Sequence, residues 1–215
     1  MRNSLVVLAL GGALLATGAS AHEKDEIFFR VGAASVQPDS SSGAVLGGGV
    51  EVENNTGLGF SGTWFINPHV GVEVLAALPF EHDIVGTGAL KGVDIGSTKH
   101  LPPTVSLQYY PLSSPSFQPY IGLGFNYTNF FSTKTSKVLD TALNGKTDMS
   151  LENSTGIAYQ LGADWKVSDS IYINAAVWKI DIDTTASISV NGTHAASVDV
   201  QIDPTVFMLG VAFKY

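Results

Sequence analysis

The chain has 215 residues, a formal net charge of −8, no cysteine, and only 14% Asp, Glu, Lys and Arg. The acidic balance excludes a reader of phosphate backbones, which requires a basic surface, so nucleic acid is not expected as a partner. Disulfides cannot hold the fold together, and the 45% hydrophobic content, dispersed among 23 glycines, has to do so.

In chain order, "MRNSLVVLALGGALLATGASA" comes first. It has a basic start at Arg2, an apolar core over residues 5–16 and an Ala19-Ser20-Ala21 ending. That is the pattern of a secretory signal peptide spanning residues 1–21 and cleaved after Ala21, and its apolar run is too short to favour a membrane-spanning helix. Residues 22–215 are then expected to form one domain.

Eight segments of the mature chain alternate with period two: 27–37, 56–66, 70–80, 103–112, 119–131, 155–167, 171–190 and 197–215. Short connections (67–69, 113–118, 168–170) alternate with long ones (38–55, 81–102, 132–154), and "NGTHAA" at 191–196 closes a hairpin with long arms. Short turns on one side and long polar loops on the other are the layout of an outer-membrane barrel.

The two faces carry the matching chemistry. In the third segment Val70, Val72, Val74, Ala76 and Leu78 oppose Gly71, Glu73 and Leu75. In the fifth, Ile121, Leu123, Phe125 and Tyr127 oppose Gly122, Gly124, Asn126 and Thr128; in the eighth, Phe207, Leu209, Val211 and Phe213 oppose Met208, Gly210, Ala212 and Lys214. A soluble sandwich would bury its large apolar face, whereas a membrane barrel turns that face to lipid; alternation alone does not say which face is inside. Backbone groups in lipid must all be paired, so membrane strands of this kind close on themselves. Tyr109, Tyr120, Tyr127, Trp64 and Trp165 fall near strand ends, where an aromatic girdle is expected.

The strings "FFRVGAASVQP", "ALPFEH", "KHLPPT", "QPYIGLGFNYTNFF", "VWKIDIDTTA" and "IDPTVFMLGVAFKY" resemble the OmpW family of small outer-membrane barrels, from the first strand to the last. Residues 91–99 and 136–149 carry the least of this signal. The resemblance implies an all-β fold: an eight-stranded antiparallel transmembrane β-barrel with short periplasmic turns and longer extracellular loops, in the outer membrane. It also implies a narrow apolar channel for passive uptake of small hydrophobic molecules, with an opening sideways into lipid. The alternative is a surface barrel that transports nothing and acts as a receptor or structural protein through its extracellular loops. The expected partners are outer-membrane lipid and small hydrophobic solutes, with phage, bacteriocin or host-surface ligands at the loops.

Parity divides the lumen by height. Arg30, Glu73, Gln108, Gln160, Asp164, Lys166 and Lys214, with Tyr172, fall inward near the periplasmic ends, where mixed charges would pair across a narrow interior and plug it. Further up, Trp178, Ile180 and Ile182 take the inward parity while Lys179, Asp181 and Asp183 face out. The last segment repeats this, with Val198, Val200, Ile202, Val206 and Met208 inward against Asp199, Gln201 and Asp203. A charge facing mid-membrane hydrocarbon costs ~2–4 kcal/mol for a basic residue and less for an acidic one, so strands with four outward aspartates have left the membrane. A bulge that reverses the faces would explain the same pattern. It needs matched phase shifts in two strands, while simple extension needs none.

Leu75 and Trp178 match family positions associated with a hydrophobic constriction, although both could merely fill space. Pro79, Pro102 and Pro103 cannot donate to a ladder and mark a candidate lateral opening between the third and fourth strands. His82, His100, His194 and Ser97 lie near acidic residues, yet no G-x-S-x-G elbow and no His-x₃-His or His-Glu-x-x-His spacing is present. Neither an enzyme, a metal nor a cofactor is expected.

Overall fold

Which face of each strand is oily decides the architecture. Outward Leu161, Leu209 and Phe125 are 58%, 63% and 59% exposed, while inward Gln108, Asp164 and Asn174 are fully buried. The polar face is therefore the interior, the inversion that suits a lipid surround. The computed structural model describes residues 22–43, 48–112 and 114–215. The expected signal peptide, residues 1–21, lies outside the described residues.

The described strands are β1 (Ile27–Gln37), β2 (Ser41–Ser42), β3 (Val50–Val52), β4 (Asn55–Asn67), β5 (Val70–Ala77), β6 (Phe80–Gly86), β7 (Asp94–Leu101) and β8 (Thr104–Tyr109). They continue with β9 (Phe117–Thr135), β10 (Thr147–Leu151), β11 (Ser154–Lys166), β12 (Ile171–Ile180), β13 (Asp183–Val190), β14 (Thr193–Gln201) and β15 (Thr205–Lys214); a short helix, α1 (Lys137–Ala142), follows β9. Eight of these strands close an antiparallel barrel in the order β11-β12-β15-β1-β4-β5-β8-β9, and β9 returns to β11.

A barrel this small forces strongly coiled strands, and the inward glycines permit it. Gly32 of β1 faces Gly210 of β15 in register. A Cβ at Gly32 would lie 2.4 Å from the Leu209 carbonyl oxygen. A valine at either position would push these two strands apart.

Above the barrel, two sheets continue the wall. The long β9 carries β7, β6 and β3 on its upper end, and a separate four-stranded sheet runs β10-β13-β14-β2. Asn191 (φ 51°) and Gly192 (φ 77°) make the left-handed two-residue turn between β13 and β14 that an Asn-Gly pair favours. The outer surface of these sheets is charged: Glu81 pairs with Lys99 at 3.4 Å, and Asp183 and Asp199 are exposed. The connection 81–102, read as a loop, is thus largely strand, and 38–55 and 132–154, read likewise, contribute the short strands β2, β3 and β10, all paired within the sheets above the barrel.

The inward parity runs unbroken through Trp178, Ile180, Ile182, Thr184 and Ala186, all buried, and through Val198, Val200, Ile202, Val206 and Met208. Faces do not reverse, but the ladder is interrupted at one level in both strands. β12 ends at Ile180 and β15 begins at Thr205. Pro204 has no N–H to give, and Asp203 takes a left-handed φ of 35°. Asp203 closes the joint by accepting the Ile182 N–H on its side chain at 3.1 Å, and Ile180 N–H donates to the Pro204 carbonyl at 3.1 Å.

Candidate functional site

The floor of the lumen is aromatic. Phe28, Phe65, Tyr110 and Tyr172 are buried there, and His22, before the first strand, stacks on Phe65 with ring centroids 3.7 Å apart. His22 Nδ1 sits 2.8 Å from Glu26 Oε1, and Lys214 closes the other carboxylate oxygen at 2.8 Å.

Directly above lies the polar plug, centred on Arg30. Its guanidinium grips Asp164 with two bonds, from Nε at 3.1 Å and Nη2 at 2.6 Å. Nη1 donates to Thr63 Oγ1 at 2.7 Å, Nη2 also to Tyr110 Oη at 3.0 Å, and Glu73 lies 3.8 Å away. The Thr63 and Tyr110 hydroxyls in turn donate hydrogen bonds to Gln108 Oε1, and Gln108 Nε2 donates to Gln160 Oε1. Asn174 donates to Asp164 and to Tyr120 Oη, both at 2.9 Å. Phe28 and Tyr120 present their rings to the guanidinium at 5.3 and 5.2 Å. Room for this packing comes from facing glycines: a Cβ on Gly162 would strike the Tyr120 ring at 2.4 Å.

Arg30, Glu73, Gln108, Gln160 and Asp164 are thus brought into one buried cluster across the barrel. Lys166 and Lys214 are not in it. They sit at the periplasmic rim, Lys166 paired with Asp169 at 2.9 Å and Lys214 with Glu26, because a lysine near a strand end reaches water at little cost. Tyr120, expected in the girdle, is buried in the lumen, whereas Tyr109, Tyr127, Trp64 and Trp165 face outward. Alternation from Gly122 and Gly124 already gives Tyr120 the inward parity, and the same rule finds Phe28 from Arg30 and Tyr110 from Gln108.

Above the plug the lining turns apolar. Leu75 and Trp178, buried on opposite parts of the wall, meet a small cavity with Ala34, Phe80, Ile180 and Met208. That cavity reaches the wall at Ala76, Ala77 and Pro102. At this height the ladder between the third and fourth barrel strands is open. β5 and β8 pair up to Leu75 with Thr104, and pairing resumes only at Phe80 with His100 between β6 and β7. Pro79, Pro102 and Pro103 all lie in the unpaired interval.

Higher still is a larger cavity between the two upper sheets, with about 720 Å³ of atom-free space, solvent-open parts included. Ile182, Val198, Val200 and Ile202 line one side, and Ile84, Ile95, Phe130, His82 and His100 the other. It shares Val36 with the cavity below. The histidines were legible only as loop residues. Their inward aim follows from β6 and β7 being strands, with His82 opposite Thr98 and His100 opposite Phe80. Burial lowers both imidazole pKa values, that of His100 to about 3. Ser97 pairs with Asp83 on the alternate register of β7, so it does not share the histidines' inward face.

One acidic group escaped the sequence reading. Carboxylate oxygens of Asp181, Asp183 and Asp203 lie within 4.8 Å of one another at the strand joint, brought together from two strands. Burial and the neighbouring Asp203 and Asp183 raise the Asp181 pKa.

The OmpW family model matches residues 23–215. Outer membrane protein W of Vibrio cholerae is 40% identical over 220 residues, with all of both chains covered. That of Escherichia coli K12 is 41% identical, over 98% of this chain and 99% of the relative. The crystal structure of the outer membrane protein OprG from Pseudomonas aeruginosa superposes with a TM-score of 0.83 at 38% identity, covering 92% of this chain and 99% of that one. A plugged, closed barrel with an inverted hydrophobic pattern, matched along its length by these relatives, belongs to the OmpW family of bacterial outer-membrane β-barrels.

Proposed function

We propose that this barrel carries small hydrophobic molecules passively from outside into the outer membrane, entering the upper cavity, passing Leu75 and Trp178, and leaving sideways. The observation that supports this reading is the stacking of two features at one height. The Arg30 plug bars the straight route, while the apolar cavity above it touches the unpaired interval at Pro102. An apolar solute loses its hydration in such a lining, and lipid is its nearest apolar exit. Hydrated ions gain nothing there to replace their water.

The sideways step is tested by restoring backbone donors. In Pro79→Val/Pro102→Val/Pro103→Val the strands can extend their ladder across the interval, and uptake of a radiolabelled alkane into cells expressing the variant is expected to fall about threefold. Unchanged uptake, with heat-modifiable migration showing a folded barrel, would mean that the solute leaves elsewhere.

A further inference from the structure

The upper cavity is not uniformly apolar, and its exceptions are arranged. Among its described lining residues, Thr98 and Thr184 have protein partners: Thr98 Oγ1 lies 2.9 Å from Thr133 Oγ1, and Thr184 Oγ1 donates to the Glu152 carbonyl at 2.7 Å. The two histidines differ. His82 is 2% exposed and His100 6%, and His82 Nε2 and His100 Nδ1 are buried without a protein partner. The rings lie 4.8 Å apart as diagonal neighbours on the inward face of the β6–β7 pair. Phe80 and Phe130 flank His100 at 5.9 and 6.0 Å.

The tautomer of His82 follows from its other nitrogen. Nδ1 contacts the backbone carbonyl of Glu53, which can only accept, so Nδ1 carries the proton. Nε2 is therefore a bare lone pair held in an apolar cavity. A buried acceptor left unmatched costs free energy, and a ligand that donates to it recovers that cost. Burial keeps both rings neutral at neutral pH, so they offer hydrogen bonds and no charge.

We infer that the upper cavity is a binding site for apolar molecules ending in a hydroxyl, whose O–H donates to His82 Nε2 beside His100 while the hydrocarbon body lies against Ile84, Ile95, Ile182 and Val200. This deepens the uptake reading and takes its biological meaning from it, but binding is measurable without transport. The site thereby prefers alcohols and phenols over hydrocarbons, ethers and esters of the same size. Hydrophobic area alone would not produce that preference, because an alcohol loses more hydration than an ether on entering an apolar space.

The test uses an isomeric pair, 1-hexanol and methyl pentyl ether, titrated into the full-length mature barrel refolded in lipid nanodiscs with ¹⁵N-labelled histidine. Hexanol is expected to shift the His82 Nε2 resonance saturably and to bind about five- to tenfold more tightly than the ether, the range set by one hydrogen bond. His82→Leu should reduce that ratio to one or below while leaving ether binding in place. His82→Phe, which keeps a ring of similar size but has no acceptor, serves in the same way if the leucine variant does not fold. Equal affinities in the wild-type protein, or a His82 Nε2 resonance that hexanol leaves unmoved, would overturn the inference. Hexanol binding at His82 with no protein-dependent uptake would leave the site standing and remove the channel reading. Uptake of both isomers at equal rates with an unmoved His82 resonance would do the reverse.

Discussion

Arg30→Met is expected to destabilise the folded barrel by about 3–5 kcal/mol, read from urea titration of tryptophan fluorescence for protein refolded into lipid vesicles. Arg30 and its partners Asp164 and Glu73 have side chains at most 1% exposed. Removing the guanidinium therefore leaves two carboxylates in a closed interior, facing Thr63 and Tyr110 oxygens that have lost a donor. The magnitude is the cost of the orphaned partners and not the net worth of the ion pair, which burial makes small. A cycle separates the two. Arg30→Met combined with Asp164→Asn and Glu73→Gln should recover more than half of the loss, since no uncompensated charge remains. A single-variant loss below about 1 kcal/mol would mean that water reaches these groups.

The second large effect concerns passage. Leu75→Asp and Trp178→Asp are each expected to lower uptake of an apolar solute at least tenfold in outer-membrane preparations, with folding checked by heat-modifiable migration. Leu75 is 8% exposed and Trp178 1%, and both bound the cavity that touches the unpaired interval at Pro102 and shares Val36 with the upper pocket. A carboxylate there holds its water and replaces an apolar surface with a hydrated one, and each 1.4 kcal/mol added to the barrier is tenfold in rate. Alanine distinguishes a constriction from mere space-filling. Leu75→Ala and Trp178→Ala widen a constriction and make uptake faster, whereas truncating residues that only fill space lowers stability and leaves uptake unchanged. Uptake unaffected by aspartate in a folded barrel would remove both residues from the route.

Period-two alternation carried most of the architecture. The 27–37 segment coincides with β1, and the inward parity of Trp178 through Ile182 and of Val198 through Met208 holds residue by residue. Alternation succeeds because lipid outside and a filled lumen inside impose opposite chemistry on the two faces. It faltered where that contrast fades. Beyond the membrane the outer face meets water, Gly, Ser and Thr become frequent, and stretches such as 81–102 read as loops although their backbone is paired. The strand joint at Asp181–Ile182 was hidden for a related reason: parity survives a break in hydrogen bonding, and only Pro204 hinted at it. The plug was legible as a set of inward polar residues. Its limits were not, because parity assigns a side and no height. Lys166 and Lys214 share the inward parity of Asp164 and Ala212 yet lie at the water's edge. The floor residue His22 precedes any alternating segment, so its stacking on Phe65 was beyond the reach of pattern.

On the proposed route an apolar solute occupies the upper lumen and stops above the plug. The most direct measurement is a set of NMR contacts between protonated n-decane and the methyl groups of otherwise deuterated barrel in nanodiscs. A solute on that route contacts methyls of Ile182, Val200, Leu75 and Ala77, and none of Ala212, which lies beside Arg30 in the strand register. Contacts confined to the lipid-facing methyls of Leu161 and Leu209, or extending past Arg30 to Ala212, would contradict it.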